Sequence, residues 1–175
     1  MKRLLCILIM TILAGSANAL EPSAKNFLAH LTGDEEVPLR ETGAKGQAIF
    51  QLREDGSLLT FRLIVANIEN VVAAHIHLGP PGSNGPVVLF LYGTVAPGGG
   101  LTQGVIGDGV KSKADLVGPL SGQALSVLVE AMQTGGAYVN VHTNDGVDPP
   151  NTGPGDFPGG EIRGQIRIAG PEQPL

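Results

Sequence analysis

The 175-residue chain has a single cysteine, Cys6, and no tryptophan. Cys6 lies in an N-terminal stretch expected to be removed, so the remaining chain can form no disulfide and offers no thiolate as nucleophile or metal ligand. Any chemistry must come from histidine, carboxylates, hydroxyls or the backbone. Aromatic residues make up only 4% of the chain and charged residues 15%. Without Lys2 and Arg3, 9 basic residues face 16 acidic ones, a formal charge of −7. An acidic chain poor in aromatics does not suit nucleic acid, whose phosphates require a basic patch. Two catalytic signatures are also missing, the Gly-x-Ser-x-Gly elbow and the phosphate-binding Gly-x-x-x-x-Gly-Lys-Ser/Thr loop. No complete catalytic constellation stands in their place.

Lys2 and Arg3 precede the apolar run Leu4 to Ala14, and small residues follow, ending Ala17-Asn18-Ala19. A basic start, a short apolar middle and an A-x-A end describe a cleavable secretory signal over residues 1–19. Cys6 falls too early for a lipoprotein anchor. The apolar run is shorter than the roughly 20 residues a transmembrane helix needs, and no other run is long enough. The expected product is one secreted or periplasmic domain over residues 20–175, with no transmembrane segment after cleavage. Its extracellular or periplasmic ligand and its oligomeric state are not legible in the sequence.

Glycine (26) and proline (13) punctuate short alternating apolar stretches, which predicts an all-β antiparallel sandwich. "KNFLAHLTG" sets Phe27, Ala29 and Leu31 against Leu28, His30 and Thr32. "GQAIFQLRED" sets Ala48, Phe50 and Leu52 against Gln47, Ile49 and Gln51. Residues 54–57 read as a hairpin turn into "LLTFRLIVAN", and "AAHIHLG", "PVVLFLYG", "AYVNVHT" and "GEIRGQIRIA" read as further strands. One or two short helices are expected. Ser112 to Asp115 has capping-box spacing, and Leu125, Leu128, Val129 and Met132 share a helical face that Gly135 would stop. The runs 94–104 and 143–160 read as loops.

Side chains two apart on a strand point the same way. His75 and His77 in "AAHIHLGPPGSNGPVV" therefore project together, leaving Ala74, Ile76 and Leu78 for the core. His142 in "AYVNVHT" shares a face with Tyr138 and Asn140, while Val139 and Val141 turn inward. Neutral imidazoles suit copper or zinc, so His75, His77 and His142 form a candidate metal site. On the last strand Glu161, Arg163, Gln165 and Arg167 alternate with Ile162, Gly164, Ile166 and Ile168. There Glu161 could orient an imidazole from the second shell, or pair with Arg163. An equally available reading has the histidines hydrogen-bonding backbone carbonyls and pinning the glycine loop after them. His30 reads as a surface residue. Asp145, Asp148 and Asp156 do not match the helix–loop–helix calcium spacing and read as a solvated loop.

The stretches "LTGDEEVPLRETGAKGQAIFQL", "AAHIHLGPPGSNGPVV" and "AYVNVHT…GGEIRGQI" together resemble the CHRD domain, a module named after chordin and also found alone in exported bacterial proteins. The likeness runs from about Phe27 to Ile168. It places Glu36, Gly46, Gly82, Gly85, Asn140 and Arg163 at motif positions. Leu39 stands where a second proline is usual, and the stretch from Asn144 to Pro158 is longer than the usual join. The resemblance implies an immunoglobulin-like or superoxide-dismutase-like sandwich acting as a binding module, and it supplies no reaction. A dismutase-like redox enzyme is the remote alternative. It would require four copper histidines, further zinc ligands and usually a disulfide, against four histidines in all and no cysteine beyond the leader.

Overall fold

The structure, a computed structural model, describes residues 26–147, 149 and 153–170. The proposed leader and Asp148 lie outside the described residues. One antiparallel sheet is built from β1 (Asn26–Thr32), β2 (Lys45–Leu52), β3 (Leu58–Glu69), β4 (Val71–Leu78), β5 (Val87–Gly93), β6 (Leu101–Ser112), β7 (Ala137–Thr143), β8 (Ile162–Gln165) and β9 (Arg167–Ile168), with α1 (Leu125–Gln133) before β7. The strand order is β5-β4-β7-β8-β1-β2-β3-β6, and β9 also pairs with β1. The sheet folds over its core as a sandwich and comes close to closing into a barrel. β5 and β6 meet at the seam, where a Cβ on Gly107 would come within 2.7 Å of the Leu91 carbonyl oxygen. Just beyond β6, Leu116 bridges to Leu89.

Alternation decides the interior, as the sequence predicts. Phe27, Ala29, Leu31, Ala48, Phe50, Leu52, Leu59, Phe61 and Leu63 face inward and are buried. The β2–β3 turn is held by Asp55, which accepts from the Ser57 amide at 2.9 Å and its hydroxyl at 2.6 Å. Ser112 and Asp115 form the expected capping box, on a single 3-10 turn. α1 buries Leu125, Leu128, Val129 and Met132 and ends where Gly135 takes φ +70°.

Three expectations are corrected. The run 94–104 is not all loop, because β6 begins at Leu101 and continues to Ser112. It carries little alternation because it lies at the end of the sheet path, with Leu101, Val105 and Val110 exposed. Gly107 and Gly109 pair with Leu63 and Phe61 of β3; glycine hides the strand signal while permitting close approach. The C-terminal strand is broken into β8 and β9 at Ile166, whose amide turns to the Ala137 carbonyl at 2.9 Å. Finally, residues 155–157 are not a solvated loop, since Gly155, Asp156 and Phe157 are buried.

On β4, β7 and β8 the face turned from the core is also covered. The segments 33–44, 79–86 and 153–160 lie against it, through bonds from Asn140 Nδ2 to Glu36 at 3.4 Å, Arg163 to the Pro80 carbonyl at 3.1 Å and His142 Nδ1 to the Pro158 carbonyl at 2.9 Å, and Arg40 and Asn84 tie the segments to one another. The molecule thus has a second, polar interior, and the histidines sit in it.

Candidate metal centre

The register of three adjacent strands brings the site together. His75 lies opposite Asn140, and Asn140 opposite Arg163; His77 lies opposite Tyr138, and Tyr138 opposite Gln165. His142, opposite Ala73, stands on a diagonal from His75. Irregularities in the β4–β5 pairing flank both β4 histidines. The ring centroids are 4.9 Å apart for His75–His142, 5.6 Å for His75–His77 and 6.0 Å for His77–His142. One nitrogen from each ring can be chosen so that all three lie within 4.8 Å of one another.

The hydrogen bonds fix which nitrogens are free. His77 Nδ1 lies 2.9 Å from the Gly85 carbonyl oxygen, and His142 Nδ1 lies 2.9 Å from that of Pro158. A carbonyl only accepts, so both Nδ1 atoms carry the proton and both Nε2 atoms carry a lone pair. His142 Nε2 lies 3.1 Å from His75 Nδ1. In the metal-free protein His75 therefore donates across that gap, which leaves a lone pair on its Nε2 as well. His75 Nε2 and His77 Nε2 are buried without a hydrogen-bond partner. Two bonds of about 2.0–2.1 Å to one ion, opened to between 90° and 109°, put their donors roughly 2.9–3.4 Å apart. The gap between His75 Nδ1 and His142 Nε2 already has that width, so an ion there would take His75 at Nδ1 and leave its proton on Nε2, with a His77 nitrogen within 4.8 Å of the other two donors.

Two of the three rings are also wedged. Phe90 meets His75 edge-on at 4.6 Å, and Tyr138 stacks on His77 at 4.9 Å with planes 13° apart. The Arg163 guanidinium lies 3.5 Å over the Tyr138 ring. Burial holds all three imidazoles below their usual range, that is, in the neutral form that binds metal. For His75 the shift reaches about 4, with the His142 and His77 rings adding to it. For His77, burial outweighs the bond to Gly85, and the His142 ring and the Arg163 charge push the same way. For His142, burial outweighs the bond to Pro158.

The surrounding motif positions build the cradle. Arg163, 1% exposed, donates to the Pro80 carbonyl at 3.1 Å, the Ser83 carbonyl at 2.9 Å and Asn84 Oδ1 at 3.2 Å. Gln165 Nε2 reaches the Gly79 and Gly135 carbonyls. Within the loop so fixed, Gly82 takes φ +74°. A Cβ on Gly85 would fall 1.6 Å from the Leu78 carbonyl oxygen, so no other residue fits there. Gly46 gives room for Ile162 from β8, 3.1 Å from where its Cβ would be. Glu36, 5% exposed, meets Asn140 Nδ2 at 3.4 Å. Burial pushes its carboxyl up to about 7, against the pull of Arg163, the Val37 amide, Arg40 and Asn140.

Glu161 is fully buried, and its oxygens accept from Thr42 Oγ1 at 2.6 Å, Thr143 Oγ1 at 2.7 Å and the Gly155 amide at 2.8 Å. It ties down the segment carrying Pro158, while the orienting acceptors on the imidazoles are the Gly85 and Pro158 carbonyls. Arg163 bonds to the glycine loop, and the described hydrogen bonds of Glu161 do not include it. His30 is exposed on β1, far in the sheet order from the cluster. Phe90 and the Pro158 carbonyl were missed from the sequence, whereas the reading in which the histidines bond backbone carbonyls and pin the glycine loop anticipates the His77–Gly85 contact.

A covered polar face with three converging imidazoles, on an antiparallel sheet nearly closed on itself, defines an all-β module with a preformed donor cluster. The family model of the CHRD domain matches residues 27–166, and the chain belongs to that family. No curated protein and no solved structure matches it. Among the described residues no helix is long and apolar enough to cross a membrane.

Proposed function

We propose that this is an exported CHRD-type binding module whose ligand is a copper or zinc ion held by His75, His77 and His142. No catalysis of its own is assigned. The observation that carries the reading is the set of ring nitrogens left to one ion: His77 Nε2, free because its Nδ1 is tied to Gly85, and the 3.1 Å gap between His75 Nδ1 and the Nε2 of His142, whose own Nδ1 is tied to Pro158. The bland reading, in which the histidines pin loops, accounts for one nitrogen each of His77 and His142. It leaves His77 Nε2 buried without a partner, an arrangement that costs free energy unless something occupies it. Glu161 contributes at one remove, by anchoring the segment whose Pro158 carbonyl orients His142. The leader-like residues 1–19 support the exported half of this reading, a periplasmic or extracellular module whose chain beyond the leader has no thiol to compete for metal.

The test is elemental analysis of untagged protein from its native source, followed by titration of the metal-free form with copper and zinc. One equivalent should bind and raise the melting temperature by mass action, chelator should reverse the gain, and His77→Ala should lose both. Equal, weak binding by wild type and His77→Ala would reject the site.

A further inference from the structure

Resting on the three-imidazole reading above, we propose that the site selects monovalent copper over the dications zinc and Cu(II). The donor set is uncharged. The cluster comprises His75, His77 and His142 with no carboxylate among the described residues. Of the three buried carboxyls among the described residues, Glu161 is held by Thr42, Thr143 and Gly155 and Glu36 meets Asn140 through one oxygen, and none of them, Asp156 included, joins the imidazole cluster. An ion here keeps its whole charge in a covered layer. The cost of taking an ion out of water grows with the square of its charge, so a dication is penalised far more than a monocation unless anionic ligands compensate.

The fixed charge beside the site has the wrong sign for a dication. Arg163 lies 3.5 Å over Tyr138, and Tyr138 stacks at 4.9 Å on His77, so a guanidinium sits one ring beyond a ligand. Its hydrogen bonds run to neutral oxygens, those of Pro80, Ser83 and Asn84. A fixed positive charge at that distance repels a bound cation. Each unit of charge on a bound ion meets that repulsion again. Glu36 offsets it only in part, because burial pushes its carboxyl up to about 7.

Coordination number points the same way. Zinc completes four ligands, so on three imidazoles it needs a water as the fourth, and here Phe90 and Tyr138 stand against two of the three rings. Monovalent copper, with a filled d shell, is content with two or three imidazoles. Imidazole is a ligand that copper and zinc both accept, so charge and coordination number make the distinction.

The experiment uses the untagged protein without its leader. Affinity for Cu(I) is measured anaerobically with ascorbate against bicinchoninate, for zinc against a chromophoric chelator, and for Cu(II) without reductant. One equivalent of Cu(I) should bind at least about 100-fold more tightly than zinc. The copper couple in the protein should lie positive of the aqueous couple, a reading on wild type that needs no variant. Arg163→Gln should narrow the gap between Cu(I) and zinc roughly tenfold, and Arg163→Lys should keep it. Zinc or Cu(II) binding as tightly as Cu(I), or a couple negative of the aqueous one, overturns the selectivity and leaves the site standing. Binding of no metal overturns both.

Discussion

The outer faces of two parts of one sheet have opposite fates. On β2, β3 and β6 the side chains turned from the core, among them Ile49, Arg62 and Val110, stand in solvent. Arg62 and Asp108 approach to 3.9 Å there with both side chains about 60% exposed. On β4, β7 and β8 the corresponding side chains are His77, Tyr138, Asn140 and Arg163, all buried. The period-two pattern is the same in both regions. The difference lies in the connections, which lay backbone carbonyls over the second face and turn its polar side chains into a covered interior. An arginine is therefore decoration in one region and a keystone in the other.

The sharpest way to break this contrast is to remove the loop's fit. Gly85→Ala drives a methyl into the Leu78 carbonyl and should cost more than about 4 kcal/mol, read as loss of the cooperative unfolding transition. Gly56→Ala, with nothing within 4 Å of its Cβ but φ +71°, should cost only about 1 kcal/mol. Comparable losses for the two would mean the loop is not seated on Leu78.

Next in size is the pair of arginines. Arg163→Met strands the Pro80, Ser83 and Asn84 oxygens and should cost about 3 kcal/mol. Arg62→Met, from an exposed pair, should stay within about 0.5 kcal/mol. Urea denaturation of both variants measures the difference, and equal effects would erase the distinction between the faces.

The smallest effect is a pH dependence confined to the covered face. In metal-free protein the unfolded histidines take up protons near 6.5, whereas His75 resists until about 4. Its contribution is therefore complete above 6.5 and is lost as the pH falls from there towards 4. Glu36 acts with the opposite sign. Its folded value near 7 exceeds the ordinary 4.5, so its contribution is present below 4.5 and is lost as the pH rises through 7. Three histidines shifted down outweigh one carboxyl shifted up, and the melting temperature should fall on acidification. His75→Ala should shallow that slope and Glu36→Gln should steepen it. Slopes unchanged in both variants would place these groups in solvent.

The sequence was most informative where one face of a strand meets an apolar core. Phe27, Phe50, Leu63 and Val139 declare their direction by alternation, and by the same rule His75, His77 and His142 had to share a side. Their convergence was legible because they lie on paired strands. The burial of Arg163, Glu161 and Glu36 was not. Alternation puts Glu161 and Arg163 on a polar face, beside the histidines or paired with each other, but does not say whether that face is covered, and the carbonyls of Pro80, Ser83 and Pro158 that cover or orient it leave no trace in side-chain pattern. β6 escaped for a related reason, since Gly104, Gly107 and Gly109 dilute the apolar signal that would have marked a strand.

The central claim is that two Nδ1-protonated imidazoles and a third neighbour present their remaining nitrogens to one ion. Imidazole nitrogen NMR on labelled protein, recorded metal-free and with one equivalent of metal, addresses this atom by atom. The account predicts Nδ1–H tautomers for His77 and His142 before and after addition, with the large shift confined to their Nε2 atoms and to one nitrogen of His75. Shifts at the Nδ1 atoms bonded to Gly85 and Pro158, or no change in any of the three rings, would contradict it.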